Sequence, residues 1–286
     1  MVITLTGTTG TIGRHLLALF EKEAIPVRAL VRDIRKAPPV RSAVFCQVDL
    51  RREDLLPVAL KGTDVLFLLT GNEPGFSRLQ MAVAREARKA GVQHVVKLSA
   101  LGASDHTRSS IAREHWEAEE AIRGEGLSWT FLRPHAFMQN WLSDLAREVR
   151  EEGVIRSPIG DGKVPFIDAR DIAEVAFRIL LDPEPHRGKK YFLTGGKAVG
   201  YKDVAETLEK LLKRPVRYQP ISLEEERKRL QMRGLPPELI EGLLTIAEYQ
   251  RAGGPTAQVS PHVERLLGRP PRSLEAFLRD HLDAFR

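Results

Sequence analysis

Short apolar runs alternate with helical spacings through the first half of the chain. Residues 2–5 form a β-branched run, residues 11–22 place Ile12, Leu16, Leu19 and Phe20 at helical intervals, and residues 27–31 are apolar at alternate positions and end at Arg32. The same rhythm gives strands at 43–48, 65–69, 94–98 and 129–132, with helices at 52–60, 78–90 and 111–123 between them. Strands alternating with helices predict an α/β fold, a doubly wound parallel sheet covered on both faces with right-handed crossovers. Gly62, Gly91 and Gly126 stand just before strands, where a helix needs a left-handed exit or a tight turn.

After residue 134 the pattern loosens. Residues 166–169 read as a strand, 171–181 as a helix that Asp168 or Asp171 starts, and 191–193 as one more short strand. The C-terminal third is then mostly helical, with 201–212, a charged segment at 223–233, 237–250 and a final helix at 273–285 that Ser273 caps. Residues 1–134, completed by 164–194, are read as a dinucleotide-binding domain, and 135–163 with 195–286 as a smaller, mostly helical region forming a substrate cleft. No internal repeat or low-complexity segment interrupts this division.

Composition narrows the class. The 286 residues are 42% hydrophobic and 29% charged, which excludes a disordered or fibrous chain. The net charge of +6 comes from basic residues interleaved with acids, a balance that suits an anionic small ligand as well as it suits DNA. Direct nucleic-acid binding lacks a helix-turn-helix or a basic-aromatic cluster and is not expected. A single cysteine, Cys46, excludes an internal disulfide, and the eight histidines form no HExxH pair or Cys/His cluster for a metal. No run reaches 18 apolar residues, and the N-terminus enters an apolar run without a basic segment and cleavage site, so a cytoplasmic protein away from the membrane is expected.

The chemistry concentrates at Gly7-Thr8-Thr9-Gly10-Thr11-Ile12-Gly13, where the first strand runs directly into three spaced glycines and a helix. Gly7 permits a tight turn, Gly10 lets the backbone approach a pyrophosphate, and Gly13 lets helix and strand pack closely. The helix N-terminus offers its free amides to the phosphates. The end of the second strand reads Val31-Arg32-Asp33-Ile34-Arg35-Lys36. Arg32 and Lys36 suit the 2′-phosphate of NADP, whereas Asp33 competes as an acceptor for the ribose hydroxyls of NAD. One carboxylate among three cations favours NADP(H), with NAD(H) as the alternative. Ligand contacts are expected at the C-terminal ends of the other strands: Asp49 and Leu50 beside the adenine, then Leu69, Thr70, Gly71, Ser99, Ala100 and Pro134.

Short-chain reductases commonly place a Tyr and a Lys one helical turn apart. Here Tyr191, Tyr201, Tyr218 and Tyr249 are followed four residues later by Gly, Ala, Ser and Gly, so that pair is absent. The helix expected to carry it holds His115 and Glu119 instead, a candidate catalytic pair in which Glu119 would hold the imidazole tautomer and raise its pKa. Ordinary fold packing is the competing reading. His135, Phe137, Met138, Asn140 and Trp141 are expected to line the substrate cleft, with helix core the alternative for Phe137 and Trp141.

Taken together, the chain resembles the NmrA-like group of atypical short-chain dehydrogenase/reductases. It is similar to the bacterial NADPH-dependent quinone oxidoreductases and triphenylmethane reductases within that group. The resemblance rests on the glycine loop, Leu30-Val31-Arg32-Asp33, Ala90-Gly91-Val92, Leu98-Ser99-Ala100, His115 with Glu119, and Leu132-Arg133-Pro134 followed by Phe137-Met138-Gln139-Asn140. It extends to Gly160-Asp161-Gly162-Lys163 and Asp171-Ile172-Ala173. It implies NADP(H) laid across the strand ends, with the small helical region as the other wall of a cleft. The loop Thr70-Gly71-Asn72-Glu73-Pro74-Gly75 departs from those reductases. The expected activity is hydride transfer from NADPH to a small flat electron-poor molecule such as a quinone. The alternative is a non-enzymatic NADP(H)-sensing regulator, and a homodimer is open.

Overall fold

The computed structural model describes residues 1–286, which divide into two compact units. One unit is Met1–Thr107, Ile111–Pro134 and Ile172–Phe192; the other is Arg108–Ser110, His135–Asp171 and Leu193–Arg286. Residues 164–171 therefore belong with the second unit and not with the sheet, a shift from the expected boundary.

The elements follow the expected alternation. They run β1 (Ile3–Leu5), α1 (Thr11–Lys22), β2 (Val27–Val31), β3 (Ala43–Gln47), α2 (Leu56–Leu60), β4 (Val65–Leu68), α3 (Phe76–Lys89), β5 (His94–Leu98), α4 (Ser110–Gly124) and β6 (Ser128–Pro134). Then come α5 (Asp144–Glu152), β7 (Val154–Ser157), α6 (Ala169–Leu181), β8 (Lys189–Leu193), α7 (Tyr201–Leu212) and β9 (Arg217–Pro220). The chain ends with α8 (Leu223–Met232), α9 (Pro237–Ala252), α10 (His262–Leu267) and α11 (Leu274–Asp280).

Seven strands form one sheet in the order β3-β2-β1-β4-β5-β6-β8. Every pairing from β3 to β6 is parallel, in registers such as Thr4 with Arg28 and Leu5 with Phe67. Strand order reverses between β1 and β4, and a ligand crevice opens at such a switch point. β4 and β5 are buried at every residue, as expected for a sheet covered on both faces. Leu66, Leu68, Val95 and Phe131 of the sheet pack with Leu56, Leu60, Val83, Ala87 and Ile122 of the helices. Gly62, Gly91 and Gly126 all take positive φ, as their positions before strands required. No helix is long and apolar enough to cross a membrane.

Three expectations are corrected. Residues 166–169 form no strand: Phe166 and Ile167 are buried, yet the only ladder contact is a single bridge from Ile167 to Phe137, and α6 already begins at Ala169. Asp168 serves that helix start by accepting from the Arg170 amide at 2.8 Å, while Asp171 accepts from the Arg272 amide and the Arg269 guanidinium. β3 and β4 stop at Gln47 and Leu68, so Asp49, Leu50 and Leu69–Gly71 lie in the following turns. The second unit also contains an unexpected pair of parallel strands, β7 with β9, around which Trp141, Phe166, Phe277 and Phe285 build a separate core.

Candidate active site

The turn from β1 into α1 is fixed from beneath. Thr6 is fully buried, and its hydroxyl donates to the Leu69 carbonyl and accepts from the Leu69 amide, both at 2.8 Å, tying the end of β1 to the end of β4. Gly7 has φ +67°, and a Cβ there would lie 2.6 Å from Leu69 Cγ, so the position excludes a side chain on two grounds. A Cβ on Gly13 would lie 2.2 Å from the Gly7 carbonyl oxygen, which keeps α1 tight against the loop. Gly10 differs: an added Cβ would meet only the Gly7 oxygen, at 3.4 Å. Its outer side is open.

That open side is chemically prepared for an anion. The first helical hydrogen bond runs from the Arg14 amide to the Gly10 carbonyl, leaving the amides of Thr11, Ile12 and Gly13 without an intrahelical acceptor. No side chain caps them, and the first turn has no acid. Thr8 is 1% exposed, and its buried hydroxyl has no hydrogen-bond partner. An orphaned hydroxyl beside three free amides at a positive helix end fits the pyrophosphate of a dinucleotide. Thr9 contributes its carbonyl to Arg14 Nε.

At the end of β2 the two candidate polar groups separate. Asp33 accepts from the Arg35 amide and from Arg35 Nε and Nη2 at 2.9 to 3.0 Å. These bonds pull its carboxyl down to about 2, so Asp33 is ionised and already engaged. Arg32 is exposed and makes no hydrogen bond or ion pair, and Lys36 is likewise exposed. Asp33 thus engages Arg35, while Arg32 makes no ion pair of its own. Asp49 is held by Arg51 through its amide and guanidinium, with Arg32 adding to the cations that keep it ionised. Leu50 turns partly into the core. Thr70 accepts from Gln80 Nε2 at 2.7 Å, and Gly71 is exposed. The Pro134 carbonyl, at the end of β6, accepts from the Leu101 amide. Ala100 is half-buried in the turn after β5.

His115 and Glu119 do not pair with each other as expected. Glu119 is fully buried and receives Ser99 Oγ at 2.6 Å, Arg133 Nε at 2.8 Å and Arg133 Nη2 at 2.5 Å, with Arg123 at 3.4 Å. The Ser99 hydroxyl is thereby directed inward. His115 instead meets Lys97, whose Nζ lies 3.1 Å from Nδ1. Burial, with Lys97 and Arg133 nearby, holds the imidazole pKa well below 6.5, opposite to the rise expected from a carboxylate partner. Phe76 packs on the ring at a centroid distance of 4.7 Å. Lys97 was missed in the sequence, although a lysine inside the apolar run His94–Leu98 signals a buried charge that needs partners.

The residues expected in the cleft all lie in the second unit. Met138 and Trp141 are core, and Trp141 stands edge-on to Phe166, Tyr201 and Phe277, while Trp141 and Asn140 also border a cavity within the second unit. His135 is buried between the Thr256 carbonyl and the Ala136 amide, and burial lowers it to about 4. Phe137 is half-buried, and Asn140 is exposed.

A parallel sheet with a glycine loop at its switch point defines the dinucleotide-binding short-chain class, and the chain belongs to the NmrA-like family, whose model matches residues 1–278. It is similar to the NAD(P)H azoreductase of Xenophilus azovorans, at 36% identity over 289 residues and 99% of each chain. It is also similar to the NADPH-dependent quinone oxidoreductase of Escherichia coli complexed with NADPH, at 30% identity and TM-score 0.87 over 98% of this chain and 99% of that one. The Citrobacter sp. triphenylmethane reductase complexed with NADP(H) matches at 25% identity and TM-score 0.86, over 97% and 99%.

Proposed function

We propose that the chain is a reductase that passes hydride from NADPH to a quinone or a similarly flat, electron-poor small molecule. It is an oxidoreductase of the NAD(P)H-dependent class, in keeping with relatives that act as azoreductase and quinone oxidoreductase. The observation that carries the cofactor part of the reading is the uncapped start of α1, whose free amides stand with the unpartnered Thr8 hydroxyl and suit a pyrophosphate; the relatives' reductase activities support the rest. Thr8, Gly10 and the amides of Thr11, Ile12 and Gly13 would hold that pyrophosphate, and Arg32 with Lys36 the 2′-phosphate. Asp49, Leu50, Leu69, Thr70, Gly71, Ala100 and Pro134 would border the cofactor along the strand ends. When bound, the reduced nicotinamide supplies the hydride.

The chain's own contribution to the acceptor is to orient it against the nicotinamide. Arg133 pairs with Glu119, and Arg123 bridges Glu119 and Glu120, so these charges balance one another beside the Lys97–His115 pair. A quinone takes hydride readily, so no tyrosine is required. A cytoplasmic setting suits the free thiol of Cys46.

Steady-state NADPH oxidation with a panel of quinones, an azo dye and a triarylmethyl dye tests the proposal. Turnover with at least one class is expected. NADPH binding without oxidation by any acceptor would instead mark a cofactor-sensing regulator.

A further inference from the structure

Resting on the reductase reading, we infer that Lys97 and His115 form a two-residue proton relay for the reduced acceptor, with Lys97 acting through the imidazole as a positioning residue. Lys97 Nζ donates to the Leu98 carbonyl at 3.1 Å and lies 3.1 Å from His115 Nδ1. An ammonium has donors only, so Nδ1 accepts, and the neutral ring carries its proton on Nε2. Nε2 has no hydrogen-bond partner in the protein and is not among the sealed polar atoms; the residue keeps 6% of its surface exposed. Phe76 against the ring fixes its plane.

The charged groups facing the pair are Glu119 of α4 and Arg133 of β6; Glu119 also receives the uncharged Ser99 after β5 and Arg123 of α4, and Arg123 pairs more closely with Glu120 of α4 at 2.7 Å. From α3 the facing group is the uncharged Phe76. Burial brings Lys97 down to about 7, opposed by Glu119 and assisted by Arg133. An ammonium poised near neutrality beside a ring that resists a second proton can give its own proton away through that ring.

The transfer balances without a further reactant. Hydride addition to a quinone leaves an anionic oxygen. The His115 Nε2–H bond breaks as an O–H bond forms, an Nδ1–H bond forms as a Lys97 Nζ–H bond breaks, and a neutral imidazole and a neutral amine remain. Water returns the proton by the same route through Nε2 once product leaves.

Two acceptors separate this role from a structural one. Benzoquinone needs a proton after hydride transfer, whereas crystal violet, a triarylmethyl cation, becomes its neutral leuco form on hydride alone. Lys97→Met, close to isosteric, is expected to lower kcat with benzoquinone about tenfold or more. With crystal violet, kcat is expected to stay within a small factor, and NADPH affinity likewise. Equal losses with both acceptors, or a loss with neither, would overturn the relay. Should circular dichroism show Lys97→Met unfolded, the wild-type profile decides. The benzoquinone rate is expected to fall as pH rises through about 7, where Lys97 loses its proton, while the dye rate does not. Parallel profiles would overturn the relay. A wild type that binds NADPH yet reduces neither of these acceptors nor an azo dye refutes the reductase reading itself.

Discussion

Gly10 and Gly13 stand three residues apart in one loop and answer to different constraints. A methyl on Gly13 meets the Gly7 carbonyl at 2.2 Å, whereas at Gly10 it meets only that oxygen, at 3.4 Å. Gly13→Ala is therefore expected to lower the unfolding free energy in urea by about 1–3 kcal/mol, the usual cost of overpacking. Gly10→Val is expected to fold normally and to bind no NADPH by calorimetry, because the branched side chain fills the space facing the free amides. Wild-type affinity in a folded Gly10→Val protein would remove the pyrophosphate from this loop. Arg32 carries the matching expectation for cofactor choice. With Asp33 locked to Arg35, Arg32→Ala should weaken NADPH about 10- to 100-fold and leave NADH unchanged. Equal loss for both cofactors would assign Arg32 to stability. The loop and Arg32 were legible in the sequence because their spacing lies within one βαβ unit. The Asp33–Arg35 pairing was not, since either side chain can point toward or away from a ribose until the turn geometry is known.

Helix α4 shows how much one element decides. Its residues Glu114, His115 and Glu119 point to three different partners: the start of α3, the Lys97 ammonium and the Arg133 guanidinium. α3 begins after Gly75, which has φ +86° and no side chain to cap the helix, and Glu114 supplies the cap by accepting from the Gly75 and Ser77 amides at 3.1 and 2.9 Å. Glu114→Ala should cost about 0.5–2 kcal/mol in urea unfolding, and a cost near zero would mean that water caps α3 equally well. Helical spacing revealed α4 and its exposed face. It suggested that residues four apart would pair, the rule for an isolated helix surface. Here the neighbouring strands β5 and β6 bring stronger partners to each side chain, so tertiary contacts replace the local pair. β7 and β9 escaped notice for a similar reason: each has only four residues, and β9, Arg217–Pro220, is mostly exposed and carries no apolar run.

Across the whole molecule the buried histidines make stability depend on pH. His94 and His135 are lowered by burial to about 4, and His115 is held well below 6.5. Each is neutral when folded, while the unfolded chain takes up protons as pH falls through about 6.5. Stability is therefore present above pH 6.5 and lost toward pH 4, with a slope of up to about 1.4 kcal/mol per pH unit for each histidine. His135→Gln should flatten the urea midpoint against pH over that window, and an unchanged curve would mean that His135 titrates normally. The doubly wound sheet was legible because its strands and helices alternate along the chain. The grouping of residues 164–171 with the second unit was not, because their buried apolar side chains satisfy a strand pattern without a neighbouring strand to pair with. The central claim is that this chain turns over NADPH and does more than hold it. It is tested most directly by following the near-ultraviolet absorbance of reduced nicotinamide when wild-type protein and Gly10→Val are each mixed with NADPH and benzoquinone. The absorbance should decay catalytically with the wild type and stay flat with Gly10→Val. Steady absorbance with a wild type that binds NADPH tightly would contradict the account.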